Sequence, residues 1–295
     1  TIKDKEGGMM NKEFPVIGFI GAGRVGFTLG RYFVENGLNV SGYYSRTYEH
    51  AVSASQFTDS KSYKTIDELI AASSIIFITV NDSQIQAVWE LCKKSDLTNK
   101  ILCHCSGAMT ASVFSGIEQT KAYGYSVHLL FSFNDKYNSY KEISKAFFTV
   151  EGDENHIDYV TDIIKKSGNE YVVIDGTNKD KYHGAAVFVS NLVIGLFHSG
   201  KKLLMDCGFC DEQAQKALIP LFINNAANLS CVGESSALTG PVDRNDLDTV
   251  KKNINCLDDD YKDIYVKLSR QLVEIAKNKY RDADYSQMEK LLSDK

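Results

Sequence analysis

Val16-Ile17-Gly18-Phe19-Ile20-Gly21-Ala22-Gly23-Arg24-Val25-Gly26 sets an apolar run directly before glycines spaced G-x-G-x-x-G. That spacing has a physical reading. The first glycine takes a tight turn, the second lets a pyrophosphate lie against bare backbone, and the third lets a helix pack closely on a strand. Phosphate then sits at a helix N-terminus, held by free N–H groups and the helix dipole. The flanks agree. Leu29, Tyr32, Phe33 and Leu38 recur at helical spacing, Gly37 stands where a C-cap glycine is expected, and a second strand runs from Asn39 to Tyr44. Strand, glycine turn, helix and strand within about 30 residues form the βαβ unit that a dinucleotide fingerprint requires. Gly21, Ala22, Gly23, Arg24, Val25 and Gly26 are therefore read as cofactor-binding.

The end of the second strand selects the dinucleotide. An NAD site offers Asp or Glu about 20 residues past the glycines, to bind the ribose 2′-hydroxyl. Here the strand ends in Ser45-Arg46-Thr47. Arg46 can lie bidentate on a 2′-phosphate, assisted by the hydroxyls of Ser45 and Thr47, so NADP is expected rather than NAD. The competing reading is a solvated loop arginine with Glu49 nearby.

At 295 residues the chain is long enough for two domains. Its formal net charge of −5 gives no electrostatic reason to expect nucleic acid or an anionic membrane surface. No apolar stretch approaches the roughly 20 residues of a membrane span, so a cytoplasmic location is expected. Residues 1–14 open on the polar stretch Thr1 to Gly8 and are read as a disordered leader outside the fold. Seven scattered cysteines do not suggest a disulfide framework. Cys207-Gly208-Phe209-Cys210 has redox spacing but closes a long helical pattern. Cys103-His104-Cys105 sits in a strand, where alternation turns the histidine away from both cysteines, so no metal is expected.

Beyond the first unit, Thr65 to Ala72 reads as a helix with a Thr65-x-x-Glu68 capping box. Ser74 to Val80 is a continuous apolar run of the kind buried on both faces of a parallel sheet. Asn81-Asp82-Ser83 ends it and caps a helix over Gln84 to Leu97, which places Val80 and Asn81 beside the cofactor. Strands are expected at Lys100 to His104, Tyr123 to Leu129, Ala146 to Glu151 and Glu170 to Ile174, with helices from Thr110 and from Glu154 to Ser167. The turn Asp175-Gly176 marks the boundary: a doubly wound, mostly parallel α/β domain over 15–176 and an all-helical domain over 177–295. The latter is expected to run as Lys179 to Cys207, Asp211 to Leu229, Asp246 to Asn255 and Asp258 to Tyr280.

Open α/β sheets bind ligands beyond the carboxyl ends of their strands, which directs attention to His104, Ser106, Gly107 and His128. Ser106 can bind a substrate carboxylate or carbonyl, or merely cap a turn; His128 can donate to a substrate oxygen or be structural. In the helix opening Lys179-Asp180-Lys181-Tyr182-His183, the side chains of His183, Val187 and Ser190 or Asn191 share one face, turned either to a cleft or to a neighbouring helix. Hydride transfer needs a proton donor at the neighbouring atom, and Lys181 or His183 can supply one. Arg244, among Asp243 and Asp246, can hold a substrate anion or pair with its acidic neighbours.

Six segments together resemble a family of Rossmann-like oxidoreductases with an uncharacterised helical C-terminal domain. They are VIGFIGAGRVG at Val16 to Gly26, YSRT at Tyr44 to Thr47, HCSG at His104 to Gly107, HLLFSF at His128 to Phe133, KYHGAAVFVSN at Lys181 to Asn191 and LTGPVDRND at Leu238 to Asp246. Where that family usually reads His-Pro, this chain has His128-Leu129. The architecture is also similar to the group containing 6-phosphogluconate dehydrogenase, ketopantoate reductase and pyrroline-5-carboxylate reductase. The resemblance implies a Rossmann-type domain and a helical domain that builds a homodimer and completes the active-site cleft. It gives Lys181 or His183 the role of helix-borne acid/base, Asn191 that of its amide partner, and Ser106-Gly107 that of the substrate-binding turn. The expected activity is NADP-dependent hydride transfer to or from a small carbonyl, hydroxy or imine substrate. The alternative is a non-catalytic protein that senses NADP or scaffolds a partner.

Overall fold

A computed structural model describes residues 15–293, so the expected leader at 1–14 lies outside the described residues. The chain divides into two compact units, with the division between Val187 and Phe188. That is one helix later than the turn at Asp175-Gly176.

The first unit is built on one eight-stranded sheet: β1 (Ile17–Ile20), β2 (Val40–Tyr44), β3 (Lys61–Tyr63), β4 (Ile75–Ile78), β5 (Ile101–His104), β6 (Tyr123–Leu130), β7 (Phe147–Gly152) and β8 (Tyr171–Val173). The spatial order β3-β2-β1-β4-β5-β6-β7-β8 reverses direction beside β1, which is the doubly wound Rossmann pattern. All neighbours are parallel except β6 and β7, which pair antiparallel from Tyr125↔Gly152 to Leu130↔Phe147. The helices are α1 (Arg24–Glu35), α2 (Tyr48–Thr58), α3 (Ile66–Ala71), α4 (Asp82–Cys92), α5 (Ile157–Lys166) and α6 (Lys179–Val189).

Strand alternation explains the two cores. In β4, Ile75 and Phe77 join the layer beneath α1 and α5, whereas Ile76 and Ile78 join the layer around Trp89 and Phe114. Thr65 caps α3 in the expected box, accepting from the Glu68 N–H while Glu68 accepts from the Thr65 N–H. On β6 the same alternation has another purpose. Tyr125, Val127 and Leu129 are buried in the first core, and the residues between them, Ser126 and His128, bond to α6.

The second unit carries α7 (Asn191–Asp206), α8 (Asp211–Ala237), α9 (Leu247–Cys256), α10 (Asp259–Lys279) and α11 (Ser286–Ser293). The helix expected from Lys179 to Cys207 is two, broken at Ser190 (φ −112°, ψ −75°). Val250, Val266, Val273 and Met288 centre its core. The acidic loop before α9 is bonded within the unit. The Asp243 carboxylate accepts from Lys279 Nζ at 3.0 Å, and Asp246 caps α9 by accepting from the Thr249 N–H at 3.0 Å. Among the described residues, no helix is long and apolar enough to cross a membrane.

Candidate active site

The glycines divide their tasks by space. Gly21 has φ +109°, and a Cβ there would press within 2.9 Å of the Thr79 carbonyl. A Cβ on Gly26 would collide with Thr79 Oγ1 and with the Gly21 carbonyl, so α1 approaches β1 and β4 only because that position is bare. Gly23 differs: its φ is −78°, and a Cβ would meet nothing closer than 3.9 Å. The backbone at Gly23 is exposed, as a pyrophosphate requires.

A cleft of about 560 Å³ opens on this turn. Gly21, Ala22 and Gly23 form its floor, Ser45, Arg46 and Thr47 one end, and Val80 and Asn81 the opposite wall. Of the other residues expected there, Arg24 is exposed at the first position of α1, Val25 packs half-buried on the core, and Gly26 is buried. The open backbone, the N-terminus of α1 and the Arg46 end together fit a phosphorylated dinucleotide.

Past β5 and β6 lies a second, denser polar cluster. Ser106 and Gly107 follow β5. The Ser106 hydroxyl donates to Asp82 Oδ2 at 2.6 Å and accepts from the N–H groups of Ala108 (3.2 Å) and Met109 (3.1 Å). Its one proton is thereby committed to the loop that opens α4, so Ser106 shapes the turn. Gly107 is where two imidazoles meet. A Cβ there would lie 2.8 Å from His128 Nε2 and 3.1 Å from His183 Nδ1, so the two nitrogens lie within about 6 Å of each other. The His183 Nδ1 atom is buried with no hydrogen-bond partner. His128 Nδ1 lies 2.6 Å from the Tyr182 hydroxyl. With that hydroxyl donating, Nε2 carries the ring proton and presents it at Gly107.

Electrostatics keep His128 and His104 neutral. Burial, followed by the Lys179 charge, pushes His128 down to about 4. Burial likewise pushes His104 to about 4 and Cys105 up to about 12, and it raises the Tyr182 hydroxyl. His104 has a fixed tautomer: Nδ1 accepts from the Ser106 N–H at 3.2 Å and Nε2–H donates to the Thr110 carbonyl at 3.1 Å. Among the described residues no group of His, Cys, Asp and Glu is placed to hold a metal ion.

Lys179 is the residue that sequence reasoning missed. It is 1% exposed, and Nζ donates to Ser126 Oγ at 2.6 Å. Burial pulls its pKa down, against the opposing pull of Glu151 and Cys105. Lys181, by contrast, is exposed. Helical spacing carried the signal: Lys179, Tyr182 and His183 stand at i, i+3 and i+4, on the face that bonds β6 and reaches Gly107. Asn191 opens α7 in the second unit, where its Oδ1 accepts from the Ser190 hydroxyl at 3.0 Å.

Two family models match consecutive parts of the chain. That of NADP oxidoreductases, coenzyme F420-dependent, covers residues 16–106, and that of a domain of unknown function, DUF2520, covers residues 146–272. No curated protein matches. Among solved structures, protein TM1727 of Thermotoga maritima is 26% identical with a TM-score of 0.71, over 89% of this chain and 98% of that one. An imine reductase from Pseudomonas sp. is 17% identical with a TM-score of 0.61, over 90% and 98%. The pyrroline carboxylate reductase of Plasmodium falciparum, solved with NADP bound, is 15% identical with a TM-score of 0.55, over 90% and 99%. The chain therefore carries an NADP oxidoreductase domain of Rossmann type followed by a DUF2520 domain, and NADP is its dinucleotide.

Proposed function

We propose that this protein is an NADPH-dependent reductase that moves hydride from nicotinamide C4 to the carbon of a small imine or carbonyl, and in reverse from the corresponding amine or hydroxy compound to NADP. The observation that carries this reading is the meeting of His128 and His183 at Gly107, beyond the strand ends of a dinucleotide-binding sheet. Bound NADPH supplies the hydride. The protein's own residues do the rest. His128, neutral and held by Tyr182, donates a hydrogen bond from Nε2 to the substrate heteroatom. His183, whose Nδ1 has no protein partner, delivers the proton that this atom gains. Lys179 stays buried and acts on His128 through its field. The likeness to imine and pyrroline carboxylate reductases supports a C=N substrate.

The test is NADPH oxidation with a panel of cyclic imines and small ketones. His183→Ala should lose turnover by about 10²-fold or more while keeping its NADPH affinity, and Lys181→Ala should be close to wild type. Unchanged turnover in His183→Ala removes the proton-donor assignment. NADPH binding with no turnover on any substrate would favour a sensor or scaffold.

We propose further that the protein is a homodimer through α7 and α8. Leu192, Ile194, Leu221, Ile223, Leu229 and Val232 on these helices are each at least 50% exposed, far more apolar side chain than a lone surface helix pair leaves in water. All seven cysteines are free thiols, which supports a reducing, cytoplasmic setting.

A further inference from the structure

We propose that His50 is the second cation of the 2′-phosphate subsite and that it grades the choice between NADPH and NADH with pH. The inference rests on the NADP reading of the cleft and adds to it a residue of this chain. The Arg46 end of the cleft is completed by the first turn of α2. Thr47 stands at the N-cap position, but its side chain accepts no capping bond, and the His50 N–H turns back to the Thr47 carbonyl at 3.1 Å. The helix thus opens on the cleft with N–H groups that its own cap does not meet. His50 lines the cleft at the same end as Ser45, Arg46 and Thr47. An arginine, a histidine, two hydroxyls and a helix N-terminus are the donor set for a phosphate monoester. A ribose hydroxyl needs none of that charge.

Tyr44, Arg46 and His50 are the only titratable side chains lining the cleft among the described residues. On its own helix the neighbouring charge is Glu49. The elements packed against α2 bring Tyr44 from β2, Lys61 and Tyr63 from β3, and Arg31 and Glu35 from α1, the last two bonded to each other at 2.9 Å. On α3, which also reaches the cleft, Glu68 is taken by the N–H groups of Lys64 and Thr65, and Asp67 by Ser95. Histidine changes charge between about pH 5 and 8, whereas the phosphate monoester completes its own ionisation near pH 6. From about pH 6.5 to about pH 8 the phosphate is thus mostly dianionic, so a pH dependence of its binding over that interval reports on the protein groups that meet it.

Equilibrium titrations with NADPH and with NADH, at about pH 6.5 and about pH 8, test this on the full chain as wild type, His50→Ala and His50→Lys. The wild type should lose roughly five- to tenfold in NADPH affinity across that interval, with NADH unchanged. His50→Ala should bind NADPH with the weaker affinity at both pH values, and His50→Lys with the tighter affinity at both. A pH dependence that survives in His50→Ala overturns the proposal, as does a loss that NADH shares equally. A wild type that binds NADH but not NADPH overturns the NADP reading itself, and the role of His50 with it.

Discussion

Gly23→Ala and Gly26→Ala change the same atom count three residues apart, and the structure assigns them opposite consequences. At Gly26 the added Cβ collides with Thr79 Oγ1 and with the Gly21 carbonyl. Those two atoms are joined by a 2.8 Å hydrogen bond that ties the glycine turn to β4. Neither can yield without moving backbone, so α1 must back away from the sheet. Overpacking of this kind costs about 1–3 kcal/mol. For a domain of this size each kcal/mol is worth about 2–4 °C, so the melting temperature should fall by roughly 2–12 °C. At Gly23 the φ of −78° suits alanine and nothing lies within 3.9 Å, so stability should stay within about 0.5 kcal/mol. The methyl group instead occupies the space where a pyrophosphate must approach the backbone. If that approach is spoiled by about 1–3 kcal/mol, NADPH affinity falls by roughly 5- to 150-fold. Thermal unfolding without ligand and fluorescence titration with NADPH read the two effects separately. A Gly23→Ala protein that binds NADPH as wild type, or a Gly26→Ala protein that melts as wild type, refutes the division of labour.

Two further outcomes follow from burial. His104 is fully buried with its pKa pushed to about 4, below the unfolded value near 6.5, so folding excludes a proton that the unfolded chain binds. Its contribution to stability is complete above about pH 6.5 and is lost as pH falls towards 4, a change on the order of 3 kcal/mol. His104→Gln, which can still accept from Ser106 and donate to Thr110, should flatten that part of the curve in urea unfolding at stepped pH; an identical slope in the variant would contradict the assignment. In the second unit, Leu221→Asp with Ile223→Asp should leave monomers in sedimentation velocity where the wild type sediments as a dimer, and a wild-type monomer at micromolar concentration would end the dimer proposal.

The dinucleotide half of the molecule was legible because its signals are local. The turn Gly21 to Gly26, the strand end Ser45-Arg46-Thr47 and the capping box at Thr65 and Glu68 depend on neighbours a few residues away. What stayed hidden depends on packing. Lys179 and Lys181 look alike in sequence, yet β6 buries one and leaves the other in water, a difference of two residues on a helix. The alternation Tyr125-Ser126-Val127-His128-Leu129 reads as a strand with one wet face, but that face is covered by α6. The break at Ser190 has no glycine or proline to announce it. The antiparallel pairing of β6 and β7 was equally silent, because the connection over 131–146 holds only a short 3-10 helix (Ser139–Lys145) packed on α1 in place of a crossover α-helix.

Hydrogen bonds join the two clusters at Ser106. Lys179 Nζ donates to Ser126 Oγ, Ser126 Oγ donates to the Ser106 carbonyl at 3.3 Å, and Ser106 Oγ donates to Asp82, beside the cleft residue Asn81. The bonds meet at Ser106 without forming one relay: its carbonyl accepts from Ser126, whereas its hydroxyl accepts from the Ala108 and Met109 N–H groups and donates to Asp82, so neither hydroxyl has a spare donor. Lys179, at 1% exposure, is held by its bond to Ser126, and the charge of Glu151 opposes the cost of its burial. The Lys179 charge disfavours protonation of His128 and His104. Burial of Lys179 and neutrality of the two imidazoles are therefore one arrangement, and because the Ser106 hydroxyl is committed to Asp82, the group proposed to meet a substrate is the His128–His183 pair at Gly107.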